Sequence, residues 1–134
     1  TILVCSNIKT SNFSKSSFSV GMINSTPKTL LPVAEYFKVL SEVSRLQVLC
    51  CLKTGAKNVT EIIAATELGQ ANVSKHLKIL VQAGMVTRHP EGVNVYYQIC
   101  DQIIFELCEL VCERLAIRLQ EQNQQLEQLK SLHH

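Results

Sequence analysis

One stretch in the middle of this sequence constrains the fold more than any other. Asn58 and Glu61 have the spacing of a capping box, which predicts a short helix from about 59 to 66. Gly69 then interrupts the chain, and apolar residues recur at helical spacing until Gly84, which predicts a second helix. A short helix, a tight turn and a second helix together form a helix-turn-helix. The residues of the second helix that are predicted to face inward are Val73, Leu77 and Leu80.

A predicted β-hairpin follows this motif directly. Residues 85–89 and 93–99 are rich in β-branched and aromatic side chains, which favour strands. Between them, residues 90–92 read Pro-Glu-Gly, a composition typical of a turn. Because a hairpin in this position is a wing, residues 58–99 are predicted to form a winged helix-turn-helix.

Further helices are predicted on both sides of this unit. Apolar residues at helical spacing indicate a helix at about 29–41, and a strongly apolar second helix follows it, with Ser41 and Ser44 as candidate N-caps. After the hairpin, Asp101 is expected to cap a last helix that runs to about Leu129. The chain is therefore predicted to be mainly α-helical with a small β-hairpin.

Length and composition indicate one globular domain. The chain has 134 residues, of which 46% are hydrophobic and 18% are charged. Residues 1–27 are rich in Ser, Thr, Asn and Lys without an apolar period, so a flexible tail is predicted there. The winged-helix domain with its C-terminal dimerisation helix is predicted at 28–132. Met22 is a candidate start residue, and His133 and His134 are either native or the remnant of a tag.

The sequence predicts a cytoplasmic protein with no membrane partner. No apolar run approaches the roughly 18 residues that a membrane span requires, and the first residues lack the pattern of a secretory leader. In the reducing cytosol the six cysteines are expected to form no structural disulfide framework.

Charge is distributed unevenly along the chain. The net charge is +3 over residues 1–52, +2 over residues 53–100 and −3 over residues 101–134. A basic front and an acidic helical tail are compatible with a nucleic-acid-binding face opposite an assembly face.

The second helix of the motif carries polar residues suited to reading DNA. In a helix-turn-helix this helix lies in the major groove, with its N-terminal residues nearest the base edges. Gln70 and Asn72 can make bidentate contacts to adenine, and Lys75 suits guanine or phosphate. Arg88 and His89 in the hairpin are placed to hold the DNA backbone beside the groove. The predicted contacts to double-stranded DNA are Gln70, Asn72, Ser74, Lys75, His76, Lys78, Arg88 and His89.

Two segments of the chain resemble a known family. The sequences LSEVSRLQVLCCL and NVSKHLKILVQAGMVTRHPEGVNVYYQI closely resemble the arsenic-repressor (ArsR/SmtB) family of bacterial regulators, and the match runs from about Leu30 to Leu115. The resemblance implies a homodimer that is assembled through the first and last helices. It also implies a repressor that occupies a palindromic operator until an inducer releases it.

The metal sites of this family are not reproduced in the sequence. The helix at 59–66 lacks the cysteine pair that serves arsenite or soft metals in some members. Of the zinc ligands that the family places on the last helix, only Asp101 remains. The four histidines form no credible ligand set, so no metal and no other cofactor is predicted.

The cysteines leave three alternatives open. One branch of the family senses persulfides or oxidants with two cysteines, and Cys50 lies where that branch has its first. Cys112 is the preferred partner in the last helix, with Cys108 as the second choice. These three thiolates could instead hold As(III) or Sb(III) as the inducer, or the cysteines could serve only as core packing without any sensor role. Cys51 is expected to lie in the core.

An enzyme with a reactive cysteine is the competing function class. Cysteine–histidine catalysis needs an imidazole near the thiol. The two central histidines, His76 and His89, are both assigned to the DNA-reading unit, and no Gly-rich oxyanion loop is seen. The chain is therefore predicted not to be an enzyme.

Overall fold

A computed structural model describes residues 25–132 of the chain. Met22, His133, His134 and most of the predicted tail lie outside the described residues. The chain divides into two compact units, of which one ends at Asp101 and the other begins at Gln102.

The five helices and the hairpin follow one another in the order that the sequence predicts. The first unit contains α1 (Pro27–Val39), α2 (Val43–Cys51), a 3₁₀ turn (Leu52–Thr54), β1 (Lys57–Asn58), α3 (Val59–Thr66), α4 (Gln70–Gln82), β2 (Val86–Glu91) and β3 (Asn94–Ile99). The described part of the second unit is one helix, α5 (Ile103–Ser131). The predicted fold class, mainly α with a small hairpin and a winged helix-turn-helix, is confirmed.

The helix-turn-helix is α3, a tight turn and α4. The side-chain oxygen of Asn58 accepts a hydrogen bond of 2.9 Å from the backbone N–H of Glu61, so the predicted cap is formed. Glu67 ends α3 in the left-handed conformation, with φ at 60°. Gly69 then serves as the N-cap of α4. The chain thus turns between the two helices within three residues, 67–69.

Apolar side chains of α2, α3, α4 and the wing form the core of the first unit. The residues of α4 predicted to face inward are buried, and in α2 the same holds for Val48 and Leu49. Burial of one such side chain contributes about 1.5–3 kcal/mol. The core residues of this unit are Val48, Leu49, Leu52, Ile62, Val73, Leu77, Leu80, Met85, Val86 and Ile99.

The wing belongs to a three-stranded antiparallel sheet with strand order β1-β3-β2. In β1, Lys57 pairs with Tyr97 and Asn58 pairs with Tyr96, a strand of two residues that the sequence analysis did not predict. The hairpin turns at residues 92–93 rather than at 90–92, because Pro90 lies within β2. Proline is tolerated there since β2 is an edge strand.

Two predicted helix caps are wrong. The N-cap of α2 is Glu42, and the hydroxyl of Ser41 instead donates a 2.7 Å hydrogen bond to the carbonyl of Lys38 at the end of α1. Ser44 lies inside α2. The N-cap of α5 is Gln102, one residue later than the predicted Asp101, and it makes no side-chain capping bond.

Most of α5 is exposed to solvent. Ile104 and Phe105 are buried, but every residue from Glu109 to Leu132 is exposed. None of the helices within residues 25–132 combines the length and the apolar character needed to cross a bilayer.

Candidate nucleic-acid interface

The two faces of α4 differ sharply in exposure. Val73, Leu77 and Leu80 are at most 1% exposed and anchor the helix to the core. Over residues 70–78, the rest of the helix surface carries five polar residues that all face solvent. Gln70, Ser74 and Lys78 are four residues apart and lie on one side of the helix, and the other two polar residues extend this polar ridge around it. This ridge consists of Gln70, Asn72, Ser74, Lys75 and Lys78.

The beginning of α4 is suited to an anion. Gly69 is the N-cap, so no side chain occupies the amide groups of the first turn, and the first turn contains no acidic residue. Unpaired amide groups and the helix dipole favour a negative group at such an end. The polar ridge therefore starts at a helix end that can receive a phosphate.

His76 has a structural position and not the predicted DNA contact. Its side chain is buried, 2% exposed, and its Nε2 lies 3.4 Å from Oε1 of Glu42. The other carboxylate oxygen of Glu42 lies 2.9 Å from the Arg45 guanidinium. The signal was present in the sequence, because position 76 is three residues after Val73 and four before Leu80, on the buried stripe of the helix.

Arg45 extends this contact network to α1. The Arg45 side chain is buried, and it donates hydrogen bonds of 2.7 Å to the carbonyl of Val39 and 3.4 Å to that of Lys38. The last carbonyls of α1 are thereby joined to α2 and, through Glu42, to His76 of α4. This network, which the sequence analysis missed, fixes the polar ridge relative to two other helices.

In the wing, the two predicted contacts differ. Arg88 is exposed on β2, where its guanidinium can reach a ligand. His89 is 9% exposed, and its ring stacks on Tyr96 of β3 at a centroid distance of 6.2 Å. His89 therefore stabilises the hairpin. Its burial does not support the predicted contact with the DNA backbone.

Comparison with known proteins places these features in a family. The model of the bacterial regulatory proteins of the arsR family matches residues 42–88, which span α2 to the start of the wing. A helix-turn-helix transcriptional regulator of Methanocaldococcus jannaschii is 37% identical over 81 residues, which cover 60% of this chain and 91% of that protein. The arsenical resistance operon repressor of Bacillus subtilis is 35% identical over 57% of this chain and 75% of its own length. The chain belongs to the arsR family.

A solved structure agrees with this assignment. The homodimeric winged helix-turn-helix DNA-binding domain of a Mycobacterium bovis protein, determined in solution, is 32% identical to this arsR-family chain and superposes with a TM-score of 0.58. The superposition covers 69% of this chain and 88% of that one. The predicted resemblance to the family is thus confirmed.

The cysteines of this arsR-family protein occupy different environments. Cys50 at the end of α2 is exposed, so the hypothesis that it serves as core packing is wrong. Cys51 is half-buried rather than in the core, and its thiol donates to the carbonyl of Val48 at 3.1 Å. Cys108 is half-buried and Cys112 exposed, one turn apart on α5. The pairing of Cys50 with either of them stays a prediction.

Burial also affects the chemistry of Cys51. It raises the pKa of the Cys51 thiol, although the nearby Lys57 acts in the opposite direction. Within residues 25–132, no three side chains of His, Cys, Asp or Glu are grouped so that they could hold a metal ion.

Proposed function

We propose that this arsR-family protein is a homodimeric transcriptional repressor that binds operator DNA through the polar ridge of α4 and the wing. The observation that carries the proposal is the division of α4 into a buried apolar stripe and an exposed ridge of hydrogen-bonding side chains. A relative in Bacillus subtilis is itself a repressor. The present protein would act in the cytoplasm, where operator DNA is found.

The residues would divide into two roles. Side chains near the start of α4, Gln70 and Asn72, would read base edges, whereas Lys78 and Arg88 would neutralise phosphates. Lys75 would contact either a guanine edge or a phosphate. Phosphate contacts supply much of the affinity and base contacts supply the choice of sequence. Ser74 can serve either role.

Dimerisation is supported by the apolar residues that the chain leaves exposed. On α1, Leu31 is 58% and Phe37 is 56% exposed, and α5 separately carries exposed apolar residues. Exposed apolar surface of this extent is typical of an interface. A homodimer, as formed by the Mycobacterium bovis domain, would cover it and would place two ridges in half-sites about one helical turn, ~34–36 Å, apart. The exposed large apolar residues of α5 are Leu110, Val111, Leu115, Ile117, Leu119, Leu126 and Leu129.

The inducer would be thiol-directed. Cys50 is exposed, so a persulfide or an oxidant can reach it. A bridge from Cys50 to Cys112, or to Cys108, would change the spacing of the two recognition helices. The alternative inducer is As(III) or Sb(III) held by these thiolates, which the arsenical resistance repressor of Bacillus subtilis favours by analogy. A regulator without a cysteine sensor is the third candidate.

Operator release by thiol reagents separates these candidates. The reduced protein would be used to select an operator from random duplexes, and binding would then be followed by fluorescence anisotropy after treatment with polysulfide, diamide or arsenite. We expect polysulfide and diamide to weaken binding and to leave the mass of an internal bridge. Cys50→Ser should abolish the response, whereas the neighbouring Cys51→Ser should retain it.

Other outcomes assign the function differently. Release by arsenite alone would support the metalloid-responsive regulator. Unchanged binding with every reagent would identify a regulator with no cysteine sensor. Failure to select any duplex would contradict the assignment of α4 and the wing to DNA binding.

A further inference from the structure

A pocket of about 450 Å³ lies beside the end of α2, within the first unit. Its walls come from α2, the 3₁₀ turn, β1 and the end of α3. Two adjacent cysteines, Cys50 and Cys51, line this space together with Lys57 and Thr54. The pocket therefore brings two thiols and a positive charge together, and none of the ridge residues lines it.

The two thiols are not equivalent. Cys50 is exposed, whereas Cys51 is half-buried and its thiol is engaged with the carbonyl of Val48. Burial raises the pKa of the Cys51 thiol, which further disfavours its reactive thiolate form, and the exposed Cys50 is the more accessible of the two. Cys50 is therefore the nucleophile of the pocket.

The positive charge of Lys57 determines which ligand charge fits the pocket. Its Nζ lies 2.6 Å from Oγ1 of Thr54, and no carboxylate of the described residues forms an ion pair with it. An ammonium that has only a hydroxyl partner can attract an anionic group placed in the pocket. A negatively charged ligand fits this arrangement better than a cationic one.

The helix limits what the two cysteines can do together. Cα atoms of neighbouring residues are about 3.8 Å apart, shorter than the roughly 4.4–6.8 Å that a disulfide spans. Both residues lie in α2, so a bond between them would require the last turn of α2 to unwind. An adduct on Cys50 is therefore protected from attack by its neighbour.

We propose that this pocket captures a small anionic disulfide as a mixed disulfide on Cys50, with the negative group of the ligand paired to Lys57. The Cys50 thiolate attacks one sulfur, the ligand's S–S bond breaks as the new S–S bond forms, and the departing thiolate takes up a proton from water. The ligand is the oxidant, and one half of it leaves as a thiol. For its effect on DNA binding, the inference rests on the thiol-responsive function proposed above.

The position of Lys57 connects the pocket to the wing. Lys57 lies in β1 and pairs with Tyr97 of β3, and the next residue, Asn58, caps α3. An anion that draws the ammonium away from Thr54 would therefore act on a strand that borders both the wing and the helix-turn-helix. Capture at Cys50 should accordingly weaken operator binding.

A pair of small disulfides with opposite charge tests the capture site. The full-length reduced protein would be treated with 3,3′-dithiodipropionate, which is anionic, or with cystamine, which is cationic and of similar size. Cleavage after glutamate releases residues 43–61, which contain only Cys50 and Cys51, so fragmentation of this peptide locates the adduct. We expect the adduct on Cys50 and a faster reaction with the anionic reagent.

Variants of the lysine decide whether Lys57 is responsible. Lys57→Gln should lower the ratio of anionic to cationic rate constants about three- to tenfold, the size expected for one partly solvated charge. Lys57→Arg should keep the ratio, and so should Lys53→Gln, which removes a neighbouring lysine outside the pocket lining. Added salt should reduce the ratio in the unmodified protein.

Three results would overturn the site: an adduct on Cys51, an unchanged ratio in Lys57→Gln, or an equal fall in Lys53→Gln. A separate readout distinguishes the site from the function on which it depends. An adduct that forms on Cys50 as expected but leaves operator affinity unchanged would contradict the thiol-responsive function and leave the capture site intact.

Discussion

Helices α4 and α5 are both amphipathic, but only α4 has its apolar side covered within its own unit. Val73, Leu77 and Leu80 of α4 are buried, so the polar ridge is what this helix presents outward. On α5, by contrast, leucines such as Leu119 and Leu126 are 61% and 49% exposed. A covered apolar stripe leaves a helix available for a polar ligand, whereas an uncovered one calls for another apolar surface. The two helices are thus suited to different partners, DNA for α4 and a second copy for α5.

Of the changes that test this difference between α4 and α5, removal of α5 should lower operator affinity the most. A chain truncated before Asp101 would lose the apolar row that we assign to the dimer. Since binding through two linked half-sites exceeds binding through one by about 10²- to 10⁴-fold, operator affinity should fall by a factor in that range. Sedimentation would show monomers or aggregates, and anisotropy would measure the affinity. A folded monomer that binds as tightly as the full chain would refute the division of roles.

Matched leucine truncations compare the two apolar surfaces directly. Leu77→Ala should destabilise folding by about 2–5 kcal/mol, because it leaves a cavity beneath α4. Leu119→Ala should change the stability of the monomer by only about 0.5 kcal/mol, as for other surface positions. It should also weaken the dimer, so that dissociation begins at a higher protein concentration than in the unmodified chain. Denaturant unfolding at several protein concentrations measures both. Equal effects on the monomer would show that Leu119 is covered within its own chain.

On the polar ridge, single substitutions should affect binding without affecting folding. Gln70→Ala or Lys75→Ala should weaken operator binding by roughly 1–3 kcal/mol if the lost contact is bidentate to a base. Their unfolding midpoints should match that of the unmodified chain, since both side chains are exposed. If both variants bind the operator as well as the unmodified chain does, the assignment of base reading to this surface of α4 is wrong.

A substitution in the wing should have the smallest effect on operator affinity and should not change the preference for operator over random DNA. Arg88→Ala should weaken operator and random DNA alike, and should reduce the slope of log affinity against log salt by about one, because one phosphate contact is lost. Titrations at three or more salt concentrations give this slope. Loss of operator preference with an unchanged slope would mean that Arg88 reads a base.

Local patterns in the sequence predicted the helix-turn-helix well. The cap at Asn58 and the bounds of α3 follow from residues within one turn of each other, so no tertiary information was needed. The buried stripe of α4 followed equally from helical spacing. The exposed residues of the ridge were also predicted, because they occupy the remaining side of the same helix.

Features that depend on distant residues were missed. Helical spacing places His76 on the buried stripe of α4, but its polar partner there, Glu42, lies at the N-cap of α2. The two-residue strand β1 exists because β3, almost forty residues later, provides its hydrogen-bond partners. Pro90 indicated a turn by composition, but its position at the sheet edge allows it to stay in β2. For His76 and β1, the deciding partner lies far away along the chain.

Lysine footprinting on the operator complex tests the central claim most directly. Lys75 and Lys78 lie on the polar ridge of α4, and Lys130, also exposed, lies on α5, so one reagent probes both helices with the same chemistry. The reduced protein would be acetylated briefly with and without operator DNA, and each site quantified by mass spectrometry. We predict that DNA protects Lys75 and Lys78 and leaves Lys130 unchanged. Protection of Lys130 with Lys75 and Lys78 still fully reactive would contradict the assignment of α4 to DNA.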